Sequence, residues 1–291
     1  MGFFESVAIG LVQGIGEFLP ISSSGHLVLM YQLFGVTGNT VLLSIFLHIA
    51  TLFSVLYVYR AQIIELIKHP FCKTNRLLAV ATIPTIILAI LLKKLITSSF
   101  ENNFVIFGFL ITAVVLGIAD YISENANHAS VFKMTNSKSS SNSLVPNGAN
   151  GVIVKSSIIH NDITNINLSY VQALVMGVSQ GIACFPGISR SGSTIAAGLI
   201  MKGNKSEVTT FSFLLSIPII IGSLIFSLFD MGGNMVRVGT LSLIISCIIS
   251  FLVGIVSIRL INSVVKKQKL SYFSFYLIGL VFLIIFIKWL G

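Results

Sequence analysis

The sequence predicts an all-α polytopic membrane protein built as an inverted-topology repeat, each half a re-entrant helical hairpin followed by three transmembrane helices. Three observations lead there. The composition is too apolar for water, six apolar runs are long enough to cross a bilayer, and two related polar breaks occupy matching places in the two halves. Of 291 residues, 55% are hydrophobic and 9% charged, with a mean hydropathy of +0.96. An ordinary soluble domain carries roughly a quarter charged residues, so the composition excludes a soluble enzyme and a disordered chain. The net charge of +9 does not argue for a nucleic-acid partner. The basic residues sit between apolar runs, where cytoplasmic loops carry them, and form no patch interleaved with stacking aromatics. Cys72, Cys184 and Cys247 are odd in number and lack C-x-x-C spacing, so neither a disulfide framework nor a zinc site is expected.

The elements follow in order. No basic stretch precedes Glu5, so no cleavable signal peptide is expected, and the opening match to the loose lipidation pattern M-G-x-x-x-S is read as coincidence. Residues 3–36 form the first apolar hairpin, broken by Pro20-Ile21-Ser22-Ser23-Ser24-Gly25. Spans follow at 40–59, 77–92 and 104–122, each close to the roughly 20 residues that a bilayer demands. Residues 123–169 read as a flexible cytoplasmic linker, because 19 of these 47 residues are Ser or Asn; a short helix or strand is expected near 151–159. The second hairpin, 170–201, breaks at Pro186-Gly187-Ile188-Ser189-Arg190-Ser191-Gly192, and spans at 208–229, 239–258 and 273–290 complete the chain. The domains are thus a first repeat, 1–122, and a second, 170–291. Hairpin arms of about 12–18 residues are too short to cross, and a polar tip survives at membrane depth only inside protein or a watery cavity. Pro84 and Pro218 lie inside spans and are expected to kink their helices at corresponding places in the two halves.

The two breaks align without gaps. Gln13 to His26 matches Gln180 to Ser193 at eight of 14 positions, so the chain is an internal duplication. Three spans per half is an odd number. If each hairpin returns to its own side, the second half starts on the opposite side from the first, and the hairpins enter from opposite faces to meet near the midplane. Loop charge orients the whole: 13 of the 18 basic residues, Arg60, Lys133 and Lys267 among them, fall on one side, against Lys93, Lys94, Arg237 and Lys288 on the other. The positive-inside bias makes the first side cytoplasmic. Both termini then lie outside, and the site is expected to open to the extracytoplasmic side of the plasma membrane.

Ionisable groups inside lipid are costly and therefore functional candidates. The hairpins concentrate them: Glu17 and His26 in the first, Arg190 in the second. The copies diverge at these positions, Glu17 facing Cys184, Ser23 facing Arg190 and His26 facing Ser193, so Ser23 and Arg190 are expected close together across the pseudo-axis. Arginine among Ser and Gly at a helix start is an anion clamp, through its planar fork and the adjacent backbone N–H groups. Ser22, Ser24, Ser189, Ser191 and Thr194 are the candidate phosphate-binding side chains around it. A divalent cation, Mg²⁺ or Ca²⁺, would reconcile Glu17 with an anionic ligand by bridging the two, with Gln13 one helical turn away as a neutral oxygen ligand. His26 is placed to take a proton from a serine or a water. His48 is read as a structural hydrogen-bonding residue, and Asp120 as interfacial.

These motifs carry a resemblance. Gln13-x-x-x-Glu17-Phe-Leu-Pro-Ile-Ser-Ser-Ser-Gly-His26, with Pro186-Gly187-Ile188-Ser189-Arg190-Ser191-Gly192 about 160 residues later, resembles undecaprenyl-diphosphate phosphatase of the bacitracin-resistance type. The resemblance implies removal of the terminal phosphate of undecaprenyl diphosphate, regenerating the monophosphate carrier of cell-wall polymers. It implies Glu17 as a metal or acid–base residue, Ser23 as nucleophile, His26 as base or proton shuttle, and Ser189, Arg190 and Thr194 as phosphate-binding. In the family the first motif reads E/Q-x-x-x-E, and Gln13 is within that range; the long Ser/Asn linker departs from a compact member. The alternative is a secondary transporter or polyprenyl-phosphate flippase, which inverted repeats with broken helices also suit. Membrane lipids are expected partners and nucleic acid is not; a homodimer is compatible with the sequence.

Overall fold

The computed structural model describes residues 2–36, 40–101, 104–138, 163–229, 239–267 and 270–290. Among the described residues the chain is all helical. The helices are α1 (Phe3–Gly16), α2 (Ser23–Leu33), α3 (Val41–Val58), α4 (Arg60–Lys68), α5 (Lys73–Leu91), α6 (Lys93–Glu101), α7 (Phe104–Lys138), α8 (Tyr170–Ile182), α9 (Arg190–Ile200), α10 (Lys205–Phe229), α11 (Thr240–Lys267) and α12 (Ser271–Leu290).

Helices α5, α7, α10, α11 and α12 are long and apolar enough to cross a membrane, and α3 makes a sixth if it is counted with α4, which bends away from it by 77°. Large apolar side chains such as Ile83, Leu91, Phe107, Phe282 and Trp289 lie exposed on their outer faces. Water would not tolerate such a surface and lipid would, as a multi-pass membrane protein requires. Each of the six expected spans falls on one of these helices. The four arms α1, α2, α8 and α9 have 14, 11, 13 and 11 residues, about 20 Å or less at 1.5 Å per residue and too short to span alone.

Small residues hold the hairpins in place. Gly10 and Gly14 bring α1 against α11: a Cβ on Gly10 would stand 2.7 Å from the Ser246 carbonyl oxygen, and one on Gly14 2.9 Å from that of Ser250. Gly177 and Gly181 do the same for α8 on α5, where a Cβ on Gly177 would collide with the Ala81 backbone. This is the small-x-x-x-small packing of membrane helices. A cross-helix hydroxyl accompanies each contact. Ser250 Oγ donates to Gly10 O at 3.1 Å, and Thr85 Oγ1 donates to Gly177 O at 2.7 Å. Inside, Phe18, Phe109, Phe211, Phe213, Leu116 and Ile195 belong to one buried cluster.

Three details differ from expectation. Helix α7 runs on to Lys138, well into the stretch expected to be a flexible linker, since Ala126, Ala129, Lys133 and Met134 are adequate helix formers. The linker's far end is pinned: Thr74 Oγ1 donates to Ile163 O at 2.7 Å and accepts from Ile166 N at 3.1 Å. The element expected near 151–159 lies outside the described residues. Pro84 and Pro218 do sit inside helices, but in α5 and α10. These are the second span of one half and the first span of the other, so the positions do not correspond. Asp120 is buried against the start of α12, its Oδ2 accepting from Ser271 N at 3.2 Å, a partner the sequence does not reveal.

The α8–α5 contact gives a direct test. Gly177→Val should force the helices apart and cost about 1–3 kcal/mol, read as earlier thermal unfolding of the solubilised protein. Gly222→Val, at a glycine with open space beyond its Cα, should leave the transition nearly unchanged.

Candidate active site

Each hairpin turns through a capped helix start. In the first, Ser22 is the N-cap of α2 and its Oγ accepts from Gly25 N at 3.4 Å. Ser22 has φ 70°, a left-handed conformation that costs a non-glycine residue about 1–3 kcal/mol. His26 braces it, donating from Nδ1 to Ser22 O at 2.8 Å. In the second hairpin, Ser189 caps α9, accepting from Gly192 N at 3.1 Å, and Gly187 supplies the positive φ of 85°. Helix α7 clamps this turn: Thr112 Oγ1 donates to Gly187 O at 3.2 Å and accepts from Ser189 N at 3.0 Å.

The two tips meet. Ser191 Oγ donates to Leu19 O at 3.3 Å, and a Cβ on Gly192 would lie 3.1 Å from Pro20 Cβ. At the junction stands Glu17, 8% exposed. Its Oε1 faces Arg190 Nη2 at 3.2 Å; its Oε2 accepts from Ser23 Oγ at 2.8 Å and Gln13 Nε2 at 3.2 Å, and has His48 Nε2 at 3.5 Å. A carboxylate removed from water needs such company, because its desolvation costs several kcal/mol. Helices α2 and α9 both begin here, so two positive dipole ends add to the field. His48 Nδ1 donates to Ser44 O at 2.7 Å, which leaves Nε2 able to donate to Glu17 only as the imidazolium.

Glu17, Ser23, Arg190 and Gln13 are thus gathered as the sequence suggested. Ser189 and Ser191 pair at 3.4 Å, as do Ser22 and Ser24 at 3.3 Å, and Thr194 Oγ1 shares a hydrogen bond with Ser212 Oγ at 2.5 Å. His26 is turned toward α12, stacked on Tyr276, whose hydroxyl lies 2.8 Å from Nε2. With Nδ1–H spent on Ser22 O, Nε2 accepts from that hydroxyl. Three residues at the site are not singled out by the sequence, Thr51, Ser212 and Tyr276, and a fourth, His48, read there as a structural hydrogen-bonding residue, stands 3.5 Å from Glu17. An ionisable group inside an apolar span was the available signal for His48.

A divalent cation finds a partial cradle. Among the described residues no three His, Cys, Asp or Glu side chains gather as a metal site, but a cation shared with phosphate oxygens needs only one or two protein ligands. Gln13 Oε1 is buried without a hydrogen-bond partner. Its amide is oriented by Thr51, whose hydroxyl donates to Leu47 O and His48 O at 3.2 and 3.0 Å and accepts from Gln13 Nε2 at 3.4 Å. Gln13 Oε1 is thus an unused hard oxygen, but the same amide turns its NH2 to Glu17 at 3.2 Å, so it would have to turn over for both residues to hold one cation.

The ion pair at the junction should show in stability. Arg190→Met strands the Glu17 charge and should cost about 3 kcal/mol. Glu17→Gln in the same background should restore most of it, in a double-mutant cycle read by chemical denaturation in detergent.

The comparisons agree with this geometry. The family model of bacitracin resistance protein BacA matches residues 6–283. Undecaprenyl-diphosphatase of Alkaliphilus metalliredigens is 35% identical over 297 residues, covering 95% of either chain. Its counterpart in Carboxydothermus hydrogenoformans is 30% identical over 280 residues, covering 95% of this chain and 94% of the relative. Undecaprenyl-diphosphatase 3 of Bacillus cereus is 32% identical over 290 residues, covering 99% and 98%. A match over nearly the whole length, with helical hairpins meeting at the motif residues, leads to one conclusion: the chain belongs to the bacitracin resistance protein BacA family.

Proposed function

We propose that this membrane protein is a phosphoric anhydride hydrolase that converts undecaprenyl diphosphate and water to undecaprenyl phosphate and inorganic phosphate, recycling the lipid carrier of wall polymers and so conferring bacitracin resistance. The observation that carries this reading is the convergence of Ser23 from one hairpin and Arg190 from the other on the single carboxylate of Glu17. The family and the names of its full-length relatives supply the substrate.

In the proposed mechanism Arg190, Ser189, Ser191 and Thr194 hold the diphosphate, with Ser22, Ser24 and the starts of α2 and α9 on its other side. Ser23 Oγ attacks the terminal phosphorus and gives its proton to Glu17, 2.8 Å away. The anhydride oxygen leaves on the lipid monophosphate, and water then releases the phosphate from Ser23. His26, with a free lone pair whenever the Tyr276 hydroxyl moves away, serves as the second base or shuttle. A Mg²⁺ or Ca²⁺ ion held by Glu17 and Gln13 would neutralise phosphate charge there. Every group named comes from one chain, so the chemistry requires no second copy.

We read the fold as an inverted repeat of 1–122 and 170–291 about the 123–169 linker, each half a re-entrant hairpin plus three spans. Support comes from the matching contacts of α1 with α11 and α8 with α5, each through two glycines four residues apart and one hydroxyl-to-glycine bond. Loop charge supports an extracytoplasmic opening in the plasma membrane. The unlike residues at equivalent positions, Glu17 and Cys184 or Ser23 and Arg190, favour an enzyme over a transporter, which needs no such asymmetry.

Purified protein in detergent should release inorganic phosphate from undecaprenyl diphosphate, and Ser23→Ala and Arg190→Ala should each lower the rate by about a hundredfold or more. No release by the wild type would overturn the function; undiminished release by both variants would overturn the site. For the orientation, a cysteine introduced at position 235 should react with an impermeant thiol reagent in intact cells and one at 140 should not. The reverse pattern would place the opening inside.

A further inference from the structure

The elbow between α3 and α5 presents a surface for which the hairpin chemistry has no use. Helix α3 has 18 residues, about 27 Å at 1.5 Å per residue, and by itself nearly crosses the roughly 30 Å hydrocarbon core of a bilayer. Helix α4 turns from it by 77°, so it runs near the membrane plane rather than on through the membrane. Its inner side is fixed. Leu66 belongs to the central buried cluster and Ile63 packs against it, and just past the elbow Thr74 is bonded to Ile163 O and Ile166 N. The turn after α4 is tied down as well, with Asn75 Nδ2 at 2.8, 3.1 and 3.2 Å from the carbonyl oxygens of Leu66, His69 and Pro70.

The outer side joins an apolar edge to positive charge. Ile64 and Ile67, one turn apart, are 52% and 72% exposed, and beyond the helix end Phe71 is 88% exposed. A phenylalanine held outward on a tethered turn, in line with an in-plane amphipathic helix, is suited to insertion among acyl chains. Residues 60–76 carry four basic side chains, Arg60, Lys68, Lys73 and Arg76, against one acid, Glu65. Glu65 is engaged by His69 at 3.0 Å and by Lys68 at 3.9 Å, and Arg60 is turned back onto Tyr57, its Nη1 donating to Tyr57 O at 2.9 Å. Positive charge is still in surplus, and Lys68, Lys73 and Arg76 all lie within five positions of Phe71. A zwitterionic lipid gives that charge no net partner, and a soluble anion has no use for the apolar edge. An anionic phospholipid satisfies both.

We infer that the elbow of residues 60–76 is an anionic-phospholipid anchor, with Ile64, Ile67 and Phe71 set among the acyl chains and Lys68, Lys73 and Arg76 holding the phosphate headgroup. This holds whichever face of the membrane the elbow lies on and whatever the hairpins catalyse.

The chain has one tryptophan, which allows a local test. Full-length protein carrying Trp289→Phe and Phe71→Trp has its single reporter at the elbow. It is reconstituted into vesicles of phosphatidylcholine and phosphatidylglycerol in which one lipid or the other carries bromine on its acyl chains, and quenching of the tryptophan fluorescence is measured. Both brominated lipids should quench, and phosphatidylglycerol should occupy the position at least about threefold more readily than phosphatidylcholine. Lys68→Gln, Lys73→Gln and Arg76→Gln together should bring that ratio to about one, as should salt at about 0.5 M. The charge-keeping pair Lys68→Arg and Lys73→Arg should retain the preference. Ile67→Trp in place of Phe71→Trp repeats the measurement should the first reporter fail to fold. Equal occupancy by the two lipids with the basic residues in place overturns the inference, as does a preference that survives all three glutamine changes. So does a reporter that neither lipid quenches, which would mean that protein rather than bilayer covers the elbow.

Discussion

A buried carboxylate, Glu17, is the constraint around which the molecule is arranged. At 8% exposure it cannot rely on water, and Arg190, Ser23, Gln13 and His48 reach it from four helices, α9, α2, α1 and α3. Arg190 and Ser23 stand there because the turns of the two hairpins meet. The ion pair couples the two halves of the chain energetically as well as spatially, because removing either charge leaves the other without solvent or counter-ion.

Holding two short hairpins tip to tip demands close packing elsewhere. Lipid offers no hydrophobic drive for helix association, so the arms are seated by backbone approach at Gly10, Gly14, Gly177 and Gly181 and by hydroxyls that bridge to glycine carbonyls. Rigid seating is what phosphoryl transfer needs, since its catalysis is mostly positioning and charge compensation. The strained φ of Ser22 belongs to the same economy of structure. It aims the start of α2 at Glu17 and is maintained by His26, itself tied to α12 through Tyr276.

Much of this was legible in the sequence because the bilayer is a strict solvent. Runs of about 20 apolar residues mark spans whatever their neighbours, and Pro, Gly and Ser clusters in short apolar arms mark the hairpins. The expected approach of Ser23 to Arg190 came from the duplication read as an inverted repeat, and Glu17 was singled out as an ionisable group inside an apolar arm. What composition hides is the partner: Ser44, His48, Thr51 and Ser54 recur at helical spacing along one stripe of α3, which marks an inward face, but nothing in those residues says that it meets Glu17 and Gln13. Tyr276 reaches His26 from a helix 250 positions along the chain, a contact no local pattern encodes. The α7 extension to Lys138 shows the opposite error, a polar segment whose backbone helix propensity outweighed its Ser and Asn content.

Proximity of the two tips is open to a direct chemical measurement. With Cys72, Cys184 and Cys247 replaced by serine, Pro20→Cys and Gly192→Cys would set two thiol-bearing Cβ atoms 3.1 Å apart, slightly tighter than the usual disulfide spacing of roughly 3.5–4.5 Å. Mild oxidation in native membranes should join them within one chain, seen by mass spectrometry as a cross-linked pair of peptides from the two hairpins. Failure to join, under conditions where each cysteine alone is shown to react with a small thiol reagent, would mean that the tips stand apart and that no shared diphosphate site exists between them.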